Sequence, residues 1–214
     1  MTDVLKFKNK YRTKTIRLEG YDYSQNGAYF ITICTKNREH FFGDVINGKM
    51  ELSDIGKIVF DEWIKTPKLR PDMNLKLHEF VIMPNHFHGI IIIGENIYNT
   101  TPRRDIMHRR DTMHCVSTLG NYEQNELHCV STLGNHKQNK FGPQSKNLSS
   151  IIRGFKIGVT KNARKINPDF AWQSRFHDHI IRDEKSFNNI CEYIKYNPAN
   201  WVNDTYFEVL KNEQ

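Results

Sequence analysis

The chain has 214 residues, of which 38% are hydrophobic and 12% aromatic, enough for one packed domain with or without an insertion. Its 31 Lys and Arg against 24 Asp and Glu leave +7 with neutral histidines, a bias toward polyanionic partners. Four scattered cysteines with no C-x-x-C pair argue against a disulfide scaffold, and no apolar run nears the roughly 20 residues that span a bilayer, so a cytoplasmic protein with no membrane partner is expected.

In chain order, "AYFITICTK" (28–36) is rich in β-branched and aromatic residues and predicts a strand. "SDIGKIVFDEWIKT" (53–66) spaces Ile55, Ile58, Val59 and Trp63 as a helix does, with Ser53 placed to cap it and Pro67 to end it. "LKLHEFVIM" (75–83) predicts a second strand, broken at Pro84-Asn85, and "HFHGIIII" its returning partner in a hairpin. The apolar runs "FVIM" and "GIIII" suit interior strands.

Between about 98 and 146 the composition changes. "RRDIMH" (103–108) recurs as "RRDTMH" (109–114), and "HCVSTLGNYEQN" (114–125) as "HCVSTLGNHKQN" (128–139). Few aromatics and much Asn, Gln, Arg and His predict an inserted, mostly disordered loop in an otherwise single 1–214 domain. His114, Cys115, His128 and Cys129 could be drawn as a zinc site, but a duplication copies His-Cys whether or not metal binds.

"LSSIIRGFKIGVTKNARKI" (148–166) returns to helical spacing, with Ile151, Phe155 and Val159 as the core stripe. Arg153, Lys156, Lys161, Arg164 and Lys165 occupy the remaining surface, either as a solvated face or as phosphate contacts. "HDHIIR" (177–182) predicts a short strand and "EKSFNNICEYIKYN" (184–197) a helix closed by Pro198.

Two histidines stand inside the apolar run 81–93. Alternate strand residues share a face, so His86 and His88 point the same way, roughly 7 Å apart along the strand, and can converge on one ion. "FHDH" sets His177 and His179 in the same relation, so spacing alone does not choose between the pairs. The first pair opens an apolar strand, where an imidazole needs a strong partner. Two imidazoles suit an open divalent site shared with water and a phosphate oxygen. In "EYIKYNP", Tyr193 and Asn197 are four apart and share a helical face, so Asn197 could add an amide oxygen and Tyr193 a hydroxyl beside it. Proline at 198 is expected to push Asn197 out of helical geometry. Tyr196 competes with Tyr193 as a nucleophile.

"YFITICTKNREHFFG", "FVIMPNHFHGIIII", "IIRGFK", "WQSRFHDHIIRD" and "CEYIKYNP" stand in the order seen in single-tyrosine HUH transposases. The chain resembles that family, and its REP-associated tyrosine transposase branch most, over roughly residues 17–95 and 147–202. The 98–146 insertion is not part of the family core. The resemblance implies an α+β, ferredoxin-like fold, an antiparallel sheet with helices packed on it and the histidine pair on a central strand. It puts the metal pair on His86 and His88, the nucleophile on Tyr193 and the helical ligand on Asn197, where other branches tend to use glutamine. His179 stands where the branch commonly has histidine, and His177 where an aromatic is more usual. His179, Trp172 and Gln173 become supporting site residues, and Arg175 joins Arg153, Lys156, Lys161, Arg164 and Lys165 as DNA contacts.

The implied activity is cleavage and strand transfer on single-stranded DNA through a 5′-phosphotyrosine. It would use Mg2+ or Mn2+ on a hairpin-bearing strand, with the protein a monomer or homodimer. The alternative is an inactive or domesticated single-stranded nucleic-acid-binding module, relying on the basic face and on stacking aromatics such as Phe176 and Trp172.

Overall fold

The computed structural model describes residues 17–18, 21–100, 113–115, 127–129 and 145–207. Its strands and helices, in chain order, are β1 (Gly27–Cys34), β2 (Gly43–Ile46), β3 (Lys49–Leu52), α1 (Asp54–Lys65), β4 (Leu75–Met83), β5 (His86–Ile93), β6 (Met113–Cys115), β7 (Leu127–Cys129), α2 (Leu148–Ala163), β8 (His177–Ile181) and α3 (Glu184–Tyr196). The main sheet runs β4-β5-β1-β8 and every pairing in it is antiparallel. With α1 after β1 and α2 before β8, this is the ferredoxin-like βαββαβ arrangement, extended by α3.

The period of two along each strand sorts side chains between two cores. Tyr29, Ile31 and Ile33 of β1 and Phe87, Ile91 and Ile93 of β5 face α1 and α2, where Trp63, Ile151, Phe155 and Val159 close over them. On the other face, Ala28, Ile90 and Ile181 meet Cys191 and Ile194 of α3. His86 and His88 alternate with Phe87 and so lie on the α3 face, on a strand flanked by β4 and β1. Gly89 is required where it stands, because a Cβ there would lie 2.8 Å from the Phe87 ring.

Each helix starts where its side-chain cap predicts. Ser53 accepts from the Gly56 amide, Asn147 and Ser150 form a capping box, and Asp183 accepts from the Ser186 amide. Two expectations need correcting. The "FVIM" strand is at the edge of the sheet, and its apolar run is explained by cover on both faces: Leu75 and Ile82 belong to the α1–α2 core, and Val81 packs with α3. Asn197 keeps right-handed helical angles (φ −56°, ψ −44°) despite Pro198, because its buried amide is tied to Asp204. Within the insertion, 113–115 and 127–129 pair antiparallel, with His114 opposite His128, so the two repeat copies are joined by a short ladder. The rest of 101–144, with the side chains of the drawn zinc site, lies outside the described residues.

The β2–β3 hairpin was not read from the sequence. Its turn is Asn47-Gly48, with φ of +51° and +72°, the left-handed pair that a two-residue hairpin loop requires.

Candidate active site

The start of β5, the end of α3 and the segment after it meet at one point. His86 and His88 are buried, with ring centroids 4.5 Å apart. Asp204, beyond the 3-10 turn Trp201–Asn203, brings a carboxylate to them, and one ligand atom from each of the three lies within 4.8 Å of the others. It is the only such cluster of His, Cys, Asp or Glu among the described residues, and it contains neither His177 nor His179. Those two are exposed on β8, beyond β1 from the pair.

The hydrogen bonds orient most of these groups. Asn197 donates through Nδ2 to Asp204 Oδ2 at 2.8 Å. A carboxylate only accepts, so the amide must face it with nitrogen, which leaves Asn197 Oδ1 buried with no partner. His86 Nε2 is the other unpartnered buried atom of the group. An unpaired lone pair out of water is costly unless something meets it. Two imidazoles, a carboxylate and an amide oxygen are the donor set of a divalent ion with open positions, so the residues fit the metal that the sequence implies.

Tyr193 lies over this cluster, its hydroxyl 3.1 Å from His88 Nε2. His88 Nδ1 is 2.8 Å from Thr32 Oγ1, so both ring nitrogens are engaged. The Tyr193 ring is 43% exposed and packs edge-on against Phe30 and His88. Tyr196 is 63% exposed and is not hydrogen-bonded to the histidines. Burial raises the Tyr193 pKa to about 12, and the Asp204 carboxylate and Tyr206 add to the rise. A phenol so placed stays protonated at neutral pH until a positive charge arrives.

The imidazoles shift the other way. Burial holds His86 down to about 3, with Arg38 and His40 adding, and holds His88 well below its ordinary value, with His86 adding. Both are neutral, the form that ligates. An unfolded histidine takes up its proton near pH 6.5, so between there and the folded value the unfolded chain binds more protons. Stability of the metal-free protein is therefore full above pH 6.5 and declines as pH falls below it, by up to about 1.4 kcal/mol per unit for each buried imidazole. Urea titrations at pH 7 and pH 5 in chelator should show a clear fall in midpoint. An unchanged midpoint would mean that the folded protein accommodates the protons.

Four of the residues expected to contact DNA lie apart from this cluster. Helix α2 packs on the opposite face of the sheet from α3, so Arg153, Lys161, Arg164 and Lys165, all exposed, are across the sheet from Tyr193. Lys156 is half-buried and its ammonium donates to the Gln173 and Arg175 carbonyls, at 2.5 and 3.4 Å. It pins the loop that carries Trp172, Gln173 and Arg175, and burial lowers its pKa to about 8. That loop borders the end of β1: Trp172 bridges to Thr35, and the Gln173 amide donates to the Cys34 carbonyl. Trp172 itself is wedged among Phe42, Phe155 and Phe170.

No protein-family model matches the chain. An uncharacterized Haemophilus influenzae protein is 38% identical over 195 residues, covering 91% of this chain and 92% of that protein. The chain belongs to one family with it. A second Haemophilus influenzae protein, named "Putative REP-associated tyrosine transposase", is 44% identical over 52 residues, 24% of this chain and 28% of that protein. Over those 52 residues the chain is similar to a protein of that name. Among solved structures, a REP-associated tyrosine transposase bound to a REP hairpin is similar at 17% identity and a TM-score of 0.49, over 89% of this chain and 74% of that one. A candidate transposase of Deinococcus radiodurans R1 is similar at 12% identity and a TM-score of 0.37, over 85% and 96%.

Asp204 is the member of this cluster that sequence reasoning missed. Asp204 lies seven residues past Asn197 in "WVNDTYF", where neither spacing nor periodicity marks it. Asn85 was read only as part of a turn.

Proposed function

We propose that the protein cleaves and rejoins single-stranded DNA, with Tyr193 as nucleophile. The Tyr193 hydroxyl at His88, beside converging donors from His86, Asp204 and Asn197, carries the reading. In the step, the Tyr193 oxygen forms a bond to the scissile phosphorus and the bond to the 3′-oxygen breaks. The strand is left with a 3′-hydroxyl and a 5′-phosphotyrosine, and the phenol loses its proton. The reverse attack by a second 3′-hydroxyl rejoins DNA without ATP, because the phosphotyrosine conserves the phosphodiester energy. Mg2+ or Mn2+ held by His86, His88, Asp204 and Asn197 would neutralise phosphate charge and favour the ionised phenol.

The protein's own groups do the rest. Thr32 holds the His88 ring and Asp204 orients the Asn197 amide. The edge-on packing of Tyr193 against Phe30 and His88 keeps its hydroxyl at the mouth of the cluster. Among the described residues no helix is long and apolar enough to cross a membrane. A DNA substrate would place the protein in the cytoplasm, acting as a monomer or homodimer.

Incubation with labelled single-stranded DNA and Mn2+, then denaturing electrophoresis, tests the reading: a covalent band is expected. Non-covalent retention without that band would favour an inactive binding module. Relationship to REP-associated enzymes makes a hairpin-bearing strand the substrate to use.

If the exposed face of α2 meets phosphates, binding should weaken with salt, and each lost contact should flatten the log–log slope by about 0.7. Arg153→Ala with Lys161→Ala is the informative pair, since Lys156→Ala would also release the Trp172–Arg175 loop. An unchanged slope would assign that face to solvent.

A further inference from the structure

We propose that Asn85 is a positioning residue that fixes which nitrogen of His86 carries the proton. The inference rests on reading His86 as a metal ligand. Asn85 is fully buried in the two-residue turn between β4 and β5. Its Nδ2 donates to the Tyr206 carbonyl at 2.9 Å, and a carbonyl cannot donate in return, so the amide has one permitted orientation. That orientation turns Oδ1 to His86 Nδ1, 2.8 Å away. Oδ1 can only accept, so Nδ1 must hold the proton. A neutral imidazole has one proton, and Nε2 is left with its lone pair, buried and without a partner. The turn amide thus selects the tautomer that can ligate through Nε2, and orienting groups of this kind are typically worth 10- to 100-fold in metal affinity.

The same amide has a second effect. Tyr206 lies two residues beyond Asp204, its amide donates to the Asp204 carboxylate at 2.7 Å, and its ring stacks near His86 at 4.6 Å. Asn85 therefore ties the histidine strand to the segment that brings the carboxylate. Its own carbonyl accepts from both the amide and the hydroxyl of Thr35, each at 2.9 Å, which anchors the turn to β1. Oδ1 sets the His86 proton and Nδ2 holds the Asp204 segment, so the two roles separate by substitution.

The test reads the tautomer directly. In chelator-treated protein with 15N-labelled histidine, long-range proton–nitrogen spectra should show His86 protonated at Nδ1 with an unprotonated Nε2. Asn85→Ala should lose this single tautomer and bind Mn2+ about 10- to 100-fold more weakly by calorimetry. Asn85→Asp keeps an acceptor for Nδ1–H, loses the donor to Tyr206 and adds a carboxylate that favours the imidazolium, so the Nδ1–H tautomer should persist in spectra taken at a pH high enough to keep His86 neutral. It also carries the test if the alanine variant does not fold. Finding Nε2–H in the parent, or an unchanged tautomer in Asn85→Ala, overturns the proposal. Failure of Mn2+ to bind the parent would instead overturn the metal site, and the metal-free spectra would still decide the role of Asn85.

Discussion

Tyr193→Phe should abolish covalent capture of single-stranded DNA while leaving the fold and non-covalent binding nearly intact. Only a hydroxyl is removed, from a ring whose packing against Phe30 and His88 phenylalanine can reproduce. The hydrogen bond to His88 gives the variant a second readout. The tyrosine hydroxyl engages the nitrogen that would face an ion, so the two compete. Removing a net 0.5–1.5 kcal/mol hydrogen bond should tighten Mn2+ binding roughly two- to tenfold in the absence of DNA. Tyr196→Phe should change neither quantity. Adduct lost in Tyr196→Phe and kept in Tyr193→Phe would move the nucleophile by one helical turn.

Removal of either strand imidazole should be the other large effect. His86→Ala or His88→Ala should cost more than the roughly 100-fold in metal affinity expected of an orienting group, and with it metal-dependent cleavage. Asn197→Ala should weaken binding less, because an amide at the end of a helix is a softer constraint on the ion's position than an imidazole fixed on a strand. Asp204→Ala should fall between, since it loses both a charge and the partner of Asn197. His86 packs against Trp201 and Tyr206, so His86→Gln should accompany the alanine to separate ligation from packing. His177→Ala, exposed on β8, should leave Mn2+ binding unchanged. The opposite pattern, with His177 needed and His86 dispensable, would put the metal on the wrong pair here.

What the sequence made legible follows the reach of each signal. Alternation along β5 put His86 and His88 on one face and Phe87 on the other, because a strand's period of two leaves no other arrangement. Ser53 and Pro67 bracketed α1 because caps and breakers act within a few residues. Choosing Tyr193 over Tyr196 needed the resemblance, since both lie on α3 and only tertiary packing brings one of them to His88. Asp204 and Asn85 were illegible for the same reason. Each gains its role from a partner on another element, and no local pattern announces that partner. Lys156 shows the reverse case: a residue read as part of a basic face is half-buried because a loop folds back onto its ammonium. The Asn47-Gly48 turn is a local signal, but the strands beside it are short and only half-buried at alternate positions, so they add little pattern of their own.

The insertion joins the fold at a place that bears on how the gene can change. The chain leaves the main sheet at Ile93 and resumes the fold at Leu148, the start of α2, whereas the histidines open β5 at its other end, seven residues away or about 23 Å of extended strand. Tandem duplications grow and shrink by replication slippage, and each event here alters the connection at the far end of the strand from His86. A change in copy number therefore alters a connection that does not lead directly into His86 and His88. A one-residue slip inside β5 is different in kind, because it would exchange His86 and His88 for Phe87 across the sheet. The same strand thus has one end at which length is free to vary and another at which register is fixed.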